Sequence, residues 1–180
     1  MKKIILMSFL LIFIIGCVEI QETKITDFED LILTDSDLTQ LEISSNGTIC
    51  EINEFETSEF SPLKKSSTCY YLIDSLNDTE IVIDLKEYTN FHDLNGTYQY
   101  SSSHLRSSEG IISENKYGDQ SRFSVNHEDD YGSEFNQEGI YYYHLWITKE
   151  KFLIHITSKG SEEAKDYVLR IGSKILSNFN

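Results

Sequence analysis

The sequence predicts an α+β fold: a largely antiparallel sheet of hairpins, with a middle helix and a C-terminal amphipathic helix packed on it. Three observations carry that expectation. Between Gly139 and Ser158 apolar residues alternate, so Tyr143, Leu145, Ile147, Phe152, Ile154 and Ile156 share one face. After Ser161, the residues Ala164, Tyr167, Val168, Ile171, Ile175, Leu176 and Phe179 recur at helical spacing. Eleven tyrosines and ten phenylalanines against a single proline, Pro62, suit strands rather than a disordered stalk.

The elements follow in order. Thr34-Asp35-Ser36-Asp37-Leu38 has cap-type residues and predicts one helical turn. Leu41 to Ile52 reads as a hairpin around Asn46-Gly47, a favoured tight-turn pair, with Ile43 opposite Cys50 and Leu41 opposite Ile52. Glu54 to Ser67 reads as a polar loop. Cys69 to Tyr88 reads as a second hairpin turning at Asn77-Asp78, with Leu72 opposite Ile83 and Tyr70 opposite Leu85. Asn90 can cap a middle helix to about Ser107, with Phe91, Leu94, Tyr98 and Leu105 near one stripe; Gly96 and a serine run weaken it. Gly110 to Tyr117 and Ser121 to Val125 read as strands around Gly118-Asp119, and Asn126 to Glu138 as an acidic loop. Gly139 to Thr148 and Lys151 to Ser158 form the strongest hairpin, turning at Lys149-Glu150. Ser161 is the expected N-cap of the last helix, with Glu162 and Glu163 in its first turn, where the helix dipole favours acids.

The N-terminal stretch carries a different message. Lys2 and Lys3 precede an apolar run from Ile4 to Ile15, which ends at Gly16-Cys17. The run is too short to span a bilayer stably and has the layout of a secretory signal. The Gly16-Cys17 ending resembles the lipobox of prokaryotic lipoproteins. That resemblance implies that Cys17 is lipidated on sulfur and becomes the first residue of the mature chain, held to the membrane by its acyl chains. The expected organisation is a lipoprotein signal peptide over 1–16, a lipid-anchored tether over 17–27, and a single extracytoplasmic α+β domain over 28–180.

Charge excludes some partners. The chain carries a net charge of −15, and loss of Lys2 and Lys3 with the leader takes it to −17. Such a body repels phosphate backbones, so no nucleic-acid partner is expected. With Cys17 lipidated, Cys50 and Cys69 are an even pair in an oxidising compartment and are expected to be bridged. Against this, the hairpin registers above put them on different faces. A bridge then needs a strand end, a bulge or another register.

Three stretches resemble a group of prokaryotic secreted lipoprotein domains with a PsbP-like sandwich. They are Leu31-Ile32-Leu33 with Asp37-Leu38, Gly118-Asp119-Gln120-Ser121, and Tyr142 to Ile175. The resemblance implies helices packed on an antiparallel sheet. It implies little about activity.

Residues that could carry chemistry are few. With a Lys149-Glu150 turn, His144 and His155 lie directly opposite on neighbouring strands, close enough to share a metal ion, flanked by Trp146 and Leu153. The plainer reading is a polar-aromatic pair filling a half-buried face, and no third ligand can be placed. The loop around Asn126, His127, Glu128, Asp129, Asp130 and Glu134 has no glycine at the EF-hand position and reads as a solvated acidic loop. Ser101-Ser102-Ser103-His104 does not aim a hydroxyl at an imidazole, and there is neither a Gly-x-Ser-x-Gly elbow nor a phosphate loop. Asn46, Asn77 and Asn95 each begin an Asn-x-Thr sequon and are candidate glycosylation sites, although Asn-Gly and Asn-Asp are also good turn formers. The expectation is a membrane-anchored lipoprotein that is not an enzyme, needs no cofactor, and has a recognition or accessory role with a protein or envelope partner. The alternative is a solute- or metal-binding lipoprotein using the His144/His155 face.

Overall fold

The computed structural model describes residues 27–59, 61–76, 79–104, 110–126 and 139–179. Asp27 Oδ1 accepts the first N–H of a short 3-10 turn over Phe28–Leu31, at 2.7 Å. Helix α1 (Asp35–Leu41) starts on a reciprocal capping box: Thr34 accepts from Asp37 N, and Asp37 Oδ2 accepts from Thr34 N at 2.9 Å. This box extends the one expected turn to seven residues.

Seven strands follow: β1 (Ser44–Glu54), β2 (Leu63–Ile73), β3 (Thr79–Tyr88), β4 (Gly110–Glu114), β5 (Gln120–Asn126), β6 (Tyr141–Lys149) and β7 (Phe152–Gly160). Their spatial order is β1-β2-β3-β7-β6-β5-β4, and every neighbouring pair is antiparallel. Two meanders therefore lie side by side, joined through β3 and β7. Helix α2 (Phe91–Ser103) carries the chain from β3 to the far edge at β4 across one face, and α3 (Ala164–Ser177) returns across the other.

The main core lies under α3. Ala164, Val168, Ile171 and Ile175 meet Leu145, Ile147, Ile154 and Ile156 from the sheet, all fully buried. The helix sits close because Gly172 has no side chain: a Cβ there would stand 2.8 Å from Leu145 Cδ2. The expected face of the β6–β7 hairpin and the expected helix stripe are both as the sequence reads. A smaller core of Tyr88, Leu94, Tyr98, Trp146 and Leu153 lies under α2.

Several expected details are corrected. Asn46-Gly47 does not turn the chain. It lies inside β1, where the register slips: β1 advances five residues from Ser44 to Ile49 while β2 advances two, from Leu72 to Tyr70. Residues 63–67 are strand rather than loop, because their charges are paired. Lys64 and Lys151 both reach the buried Glu87, at 3.1 and 2.7 Å, and Lys65 reaches Glu29 and Glu54 at 3.0 and 3.1 Å. The β2–β3 connection contains a 3-10 turn, Asp74–Leu76, and lengthening the loop moves the register by an odd number. Cys69 now opposes Ile83 and Tyr70 opposes Val82, so the buried face of β2 carries Cys69, Tyr71 and Ile73.

That odd shift resolves the cysteine problem. Cys50 and Cys69 are direct partners on β1 and β2, their Cα atoms 4.1 Å apart, and they form a disulfide. The middle helix ends at Ser103, and Phe91 is 60% exposed rather than part of the stripe; Leu105 lies outside the described residues. The strand expected to reach Tyr117 ends at Glu114, where Asn115 takes a positive φ and the chain turns toward β5. Glu163, not Ser161, occupies the N-cap position of α3.

Removing the Ile171 side chain beyond Cβ leaves a cavity between α3 and the sheet. Ile171→Ala is expected to cost about 2–5 kcal/mol in equilibrium denaturation. Tyr70→Ala, on the half-exposed opposite face of β2, is expected to cost under about 1 kcal/mol.

Candidate functional site

Alternation in β6 sends Leu145 and Ile147 to the α3 side, so Tyr142, His144, Trp146 and Thr148 take the other face; β7 likewise sends Leu153, His155 and Thr157 there. Helix α2 covers only part of this face. Asn90 Oδ1 caps it by accepting from Asp93 N at 2.9 Å. The serine run that weakened the helix in sequence anchors it in space: Arg122 Nη1 donates to Ser102 Oγ and Ser103 Oγ, at 3.1 and 2.7 Å. His104 is occupied at the helix end, within 2.7 Å of the Tyr100 carbonyl.

The turn between β6 and β7 is Glu150-Lys151, not Lys149-Glu150. Lys149 stays in the strand, pairs with Phe152, and sends its Nζ to Asp119 Oδ1 at 3.2 Å; Asp119 Oδ2 accepts from Glu150 N at 2.7 Å. This moves the register by two, which keeps the face but changes the partners. His155 opposes Trp146, and His144 opposes Thr157. The histidines are therefore diagonal neighbours, and they still meet: His144 Nδ1 lies 3.3 Å from His155 Nε2.

The two rings are nearly parallel, at 13°, with centroids 5.6 Å apart. That separation equals the nitrogen–nitrogen distance plus two ring radii. The imidazoles therefore lie end to end, with the two nitrogens facing one another along one line. This is the geometry of a single shared N–H···N bond. Trp146 stacks on His155 with centroids 3.4 Å apart and planes at 7°, which fixes the plane of that ring.

The line continues across the sheet. Asp84 on β3 opposes His155, and its Oδ2 stands 3.7 Å from His155 Nδ1. Thr68 on β2 opposes Asp84 and donates its hydroxyl to Asp84 Oδ1 at 2.7 Å. With the His155 Nδ1 proton directed at Asp84, His155 Nε2 is the acceptor and His144 Nδ1 the donor. On the other side Ser124 of β5 opposes His144, and its buried Oγ has no hydrogen-bond partner among the described residues; the buried Trp146 Nε1 has none either.

Burial, and secondarily the neighbouring His155, push His144 down to about 3. Burial also pushes His155 down, and Asp84 only partly restores it; Lys86 on the same face of β3 adds to the lowering. For Asp84, burial opposes ionisation, but His155 and Thr68 outweigh it and hold the carboxyl below its usual range. At neutral pH the arrangement is thus one carboxylate and two neutral imidazoles.

Asp84, Thr68 and Ser124 were not singled out in the sequence. The available signal was Asp84 itself, a lone charge inside the apolar run Ile81-Val82-Ile83-Asp84-Leu85. Among the described residues, no three His, Cys, Asp or Glu side chains converge as a metal cluster. Cys17, Asn77 and the acidic loop from His127 to Glu138 lie outside the described residues. Asn46 lies within β1, and half-buried Asn95 accepts from Gln120 Nε2 at 3.1 Å.

His144 is nearly neutral-locked in the fold but titrates near 6.5 when unfolded, so the unfolded chain binds more protons between those values. Its contribution is complete above pH 6.5 and is lost as pH falls toward about 3. His144→Asn is therefore expected to flatten the decline of Tm between pH 6.5 and 4, measured by thermal melts of both proteins across that range.

No family model matches the chain, and no curated protein matches it. Among solved structures, the extracellular domain of PknH from Mycobacterium tuberculosis is similar to it at a TM-score of 0.46 and 10% identity, over 81% of this chain and 92% of that one. A likeness that distant assigns no activity.

Proposed function

We propose that the chain is a lipid-anchored, extracytoplasmic domain with a non-catalytic recognition or accessory role at the cell surface. The observation that carries this reading is the Cys50–Cys69 disulfide between directly opposed residues of β1 and β2, since such bonds persist in oxidising compartments. The lipobox-like Gly16-Cys17 junction supports it from the sequence side.

A recognition role draws support from the surface of the β1 edge. Ile49 is 59% exposed and Tyr70 50%, and they are cross-strand partners, with Leu72 next along β2. Adjacent exposed apolar side chains of this kind favour a partner over solvent. Asn95 Oδ1 accepts from Gln120 Nε2, which gives that sequon a structural role whether or not its Nδ2 carries a glycan.

Mass spectrometry of membrane fractions from the native host, after digestion, tests the proposal. An acylated N-terminal Cys17 is expected, together with no thiol reactive at Cys50 or Cys69 under denaturing, non-reducing conditions. Cys17→Ser is expected to abolish the acylated species. A soluble product cleaved at another position, or two free thiols, contradicts the reading.

A further inference from the structure

We propose that His144 and His155 form a two-coordinate site for a monovalent soft cation, copper(I), bound in line between His144 Nδ1 and His155 Nε2. The proposal goes beyond the anchored-domain reading and does not depend on it.

The geometry selects this ion class. Ions such as Zn²⁺ take three or four protein ligands in a tetrahedral arrangement, and ligating nitrogens then converge at an angle. Here the two nitrogens face each other head-on, and no third His, Cys, Asp or Glu joins them among the described residues. Hard cations are disfavoured because the facing atoms are nitrogens rather than oxygens. Imidazole suits copper, and a closed-shell monovalent ion accepts two ligands in a straight line. Two metal–nitrogen bonds of about 2 Å would put the nitrogens about 4 Å apart. The present 3.3 Å separation needs only a sub-ångström opening, and diagonal side chains on adjacent strands can supply it by small rotations.

The exchange balances. Copper(I) enters, the proton on His144 Nδ1 leaves to solvent and His144 Nε2 takes one up, so that a neutral imidazole ligates. His155 keeps its Nδ1 proton directed at Asp84, and the single positive charge of the ion is added beside the Asp84 carboxylate. Asp84, held by Thr68 at 2.7 Å, then plays the part of the carboxylate that orients a ligating histidine. Lys86 opposes a cation on this face, and opposes a monovalent ion less than a divalent one.

Trp146 is the chain's single tryptophan and stacks on a proposed ligand, so it reports binding directly. The full chain carrying Cys17→Ser, in detergent and under anaerobic ascorbate, is titrated with copper(I) against a chromophoric copper(I) chelator. One equivalent withdrawn from the chelator, with quenching of Trp146 fluorescence, is expected. His144→Gln and His155→Gln are each expected to lose both signals while retaining the parent's far-UV circular dichroism. Asp84→Asn is expected to weaken binding by roughly 10- to 100-fold. Zn²⁺ at the same concentration is expected to leave the fluorescence unchanged. Absence of copper(I) uptake by the parent, equal uptake by a folded His144→Gln variant, or His144-dependent Zn²⁺ binding overturns the proposal.

Discussion

The pairing of β3 with β7 is the constraint on which the rest of the molecule depends. Eight residue pairs, from Glu80 with Lys159 to Glu87 with Phe152, join strands that are 65 to 79 positions apart in the chain. Each meander alone has an unfinished edge, at β3 or at β7. Joined, they form one sheet whose centre is covered on both sides. Ile81, Ile83 and Leu85 meet Ile154, Ile156 and the α3 stripe on one face, while Tyr88 and Leu153 meet Leu94 and Tyr98 on the other. Closing so long a loop carries an entropic cost that grows only slowly with length, and the burial it permits is large by comparison.

The same register makes the candidate site. Asp84 meets His155 only because β3 and β7 align as they do, and Thr68 meets Asp84 only because β2 follows β3. The polar line across β2, β3, β7 and β6 thus depends on three separate strand pairings. A slip of one residue in any of them would send part of it to the α3 side, where Leu145, Ile147, Ile154 and Ile156 leave no place for a carboxylate. The two faces accordingly have different characters. The α3 face is closed and apolar. The α2 face is covered where Trp146 and Leu153 lie, and beyond them it holds half-buried histidines and an acid that keep some contact with solvent.

What could be read from the sequence, and what could not, follows from the period of each element. The faces of β6 and β7 and the stripe of α3 were legible because each repeats for two turns or more, and an even register error leaves a face unchanged. The His144–His155 encounter survived for that reason, although their direct opposition did not. The face of β2 was illegible because Cys69-Tyr70-Tyr71-Leu72-Ile73 is apolar on both sides, so alternation had no direction and a connection longer by a 3-10 turn decided it. Asn46-Gly47 misled because turn propensity is local: the pair falls where the β1 register slips, and β1 keeps to β2 on either side of it, with the disulfide beyond. Lys64 and Lys65 made β2 look like a loop because the acids that pair them, Glu87, Glu29 and Glu54, lie elsewhere in the chain.

Native-state hydrogen exchange tests the central pairing most directly. The inward-facing amides of β3 and β7 are expected to be the most protected among the described residues and to exchange only through one shared opening, at the free energy of global unfolding. Exchange of β3 together with β1 and β2 at a lower free energy, while β7 stays protected with β6, would show that the two meanders are separate units and would contradict it.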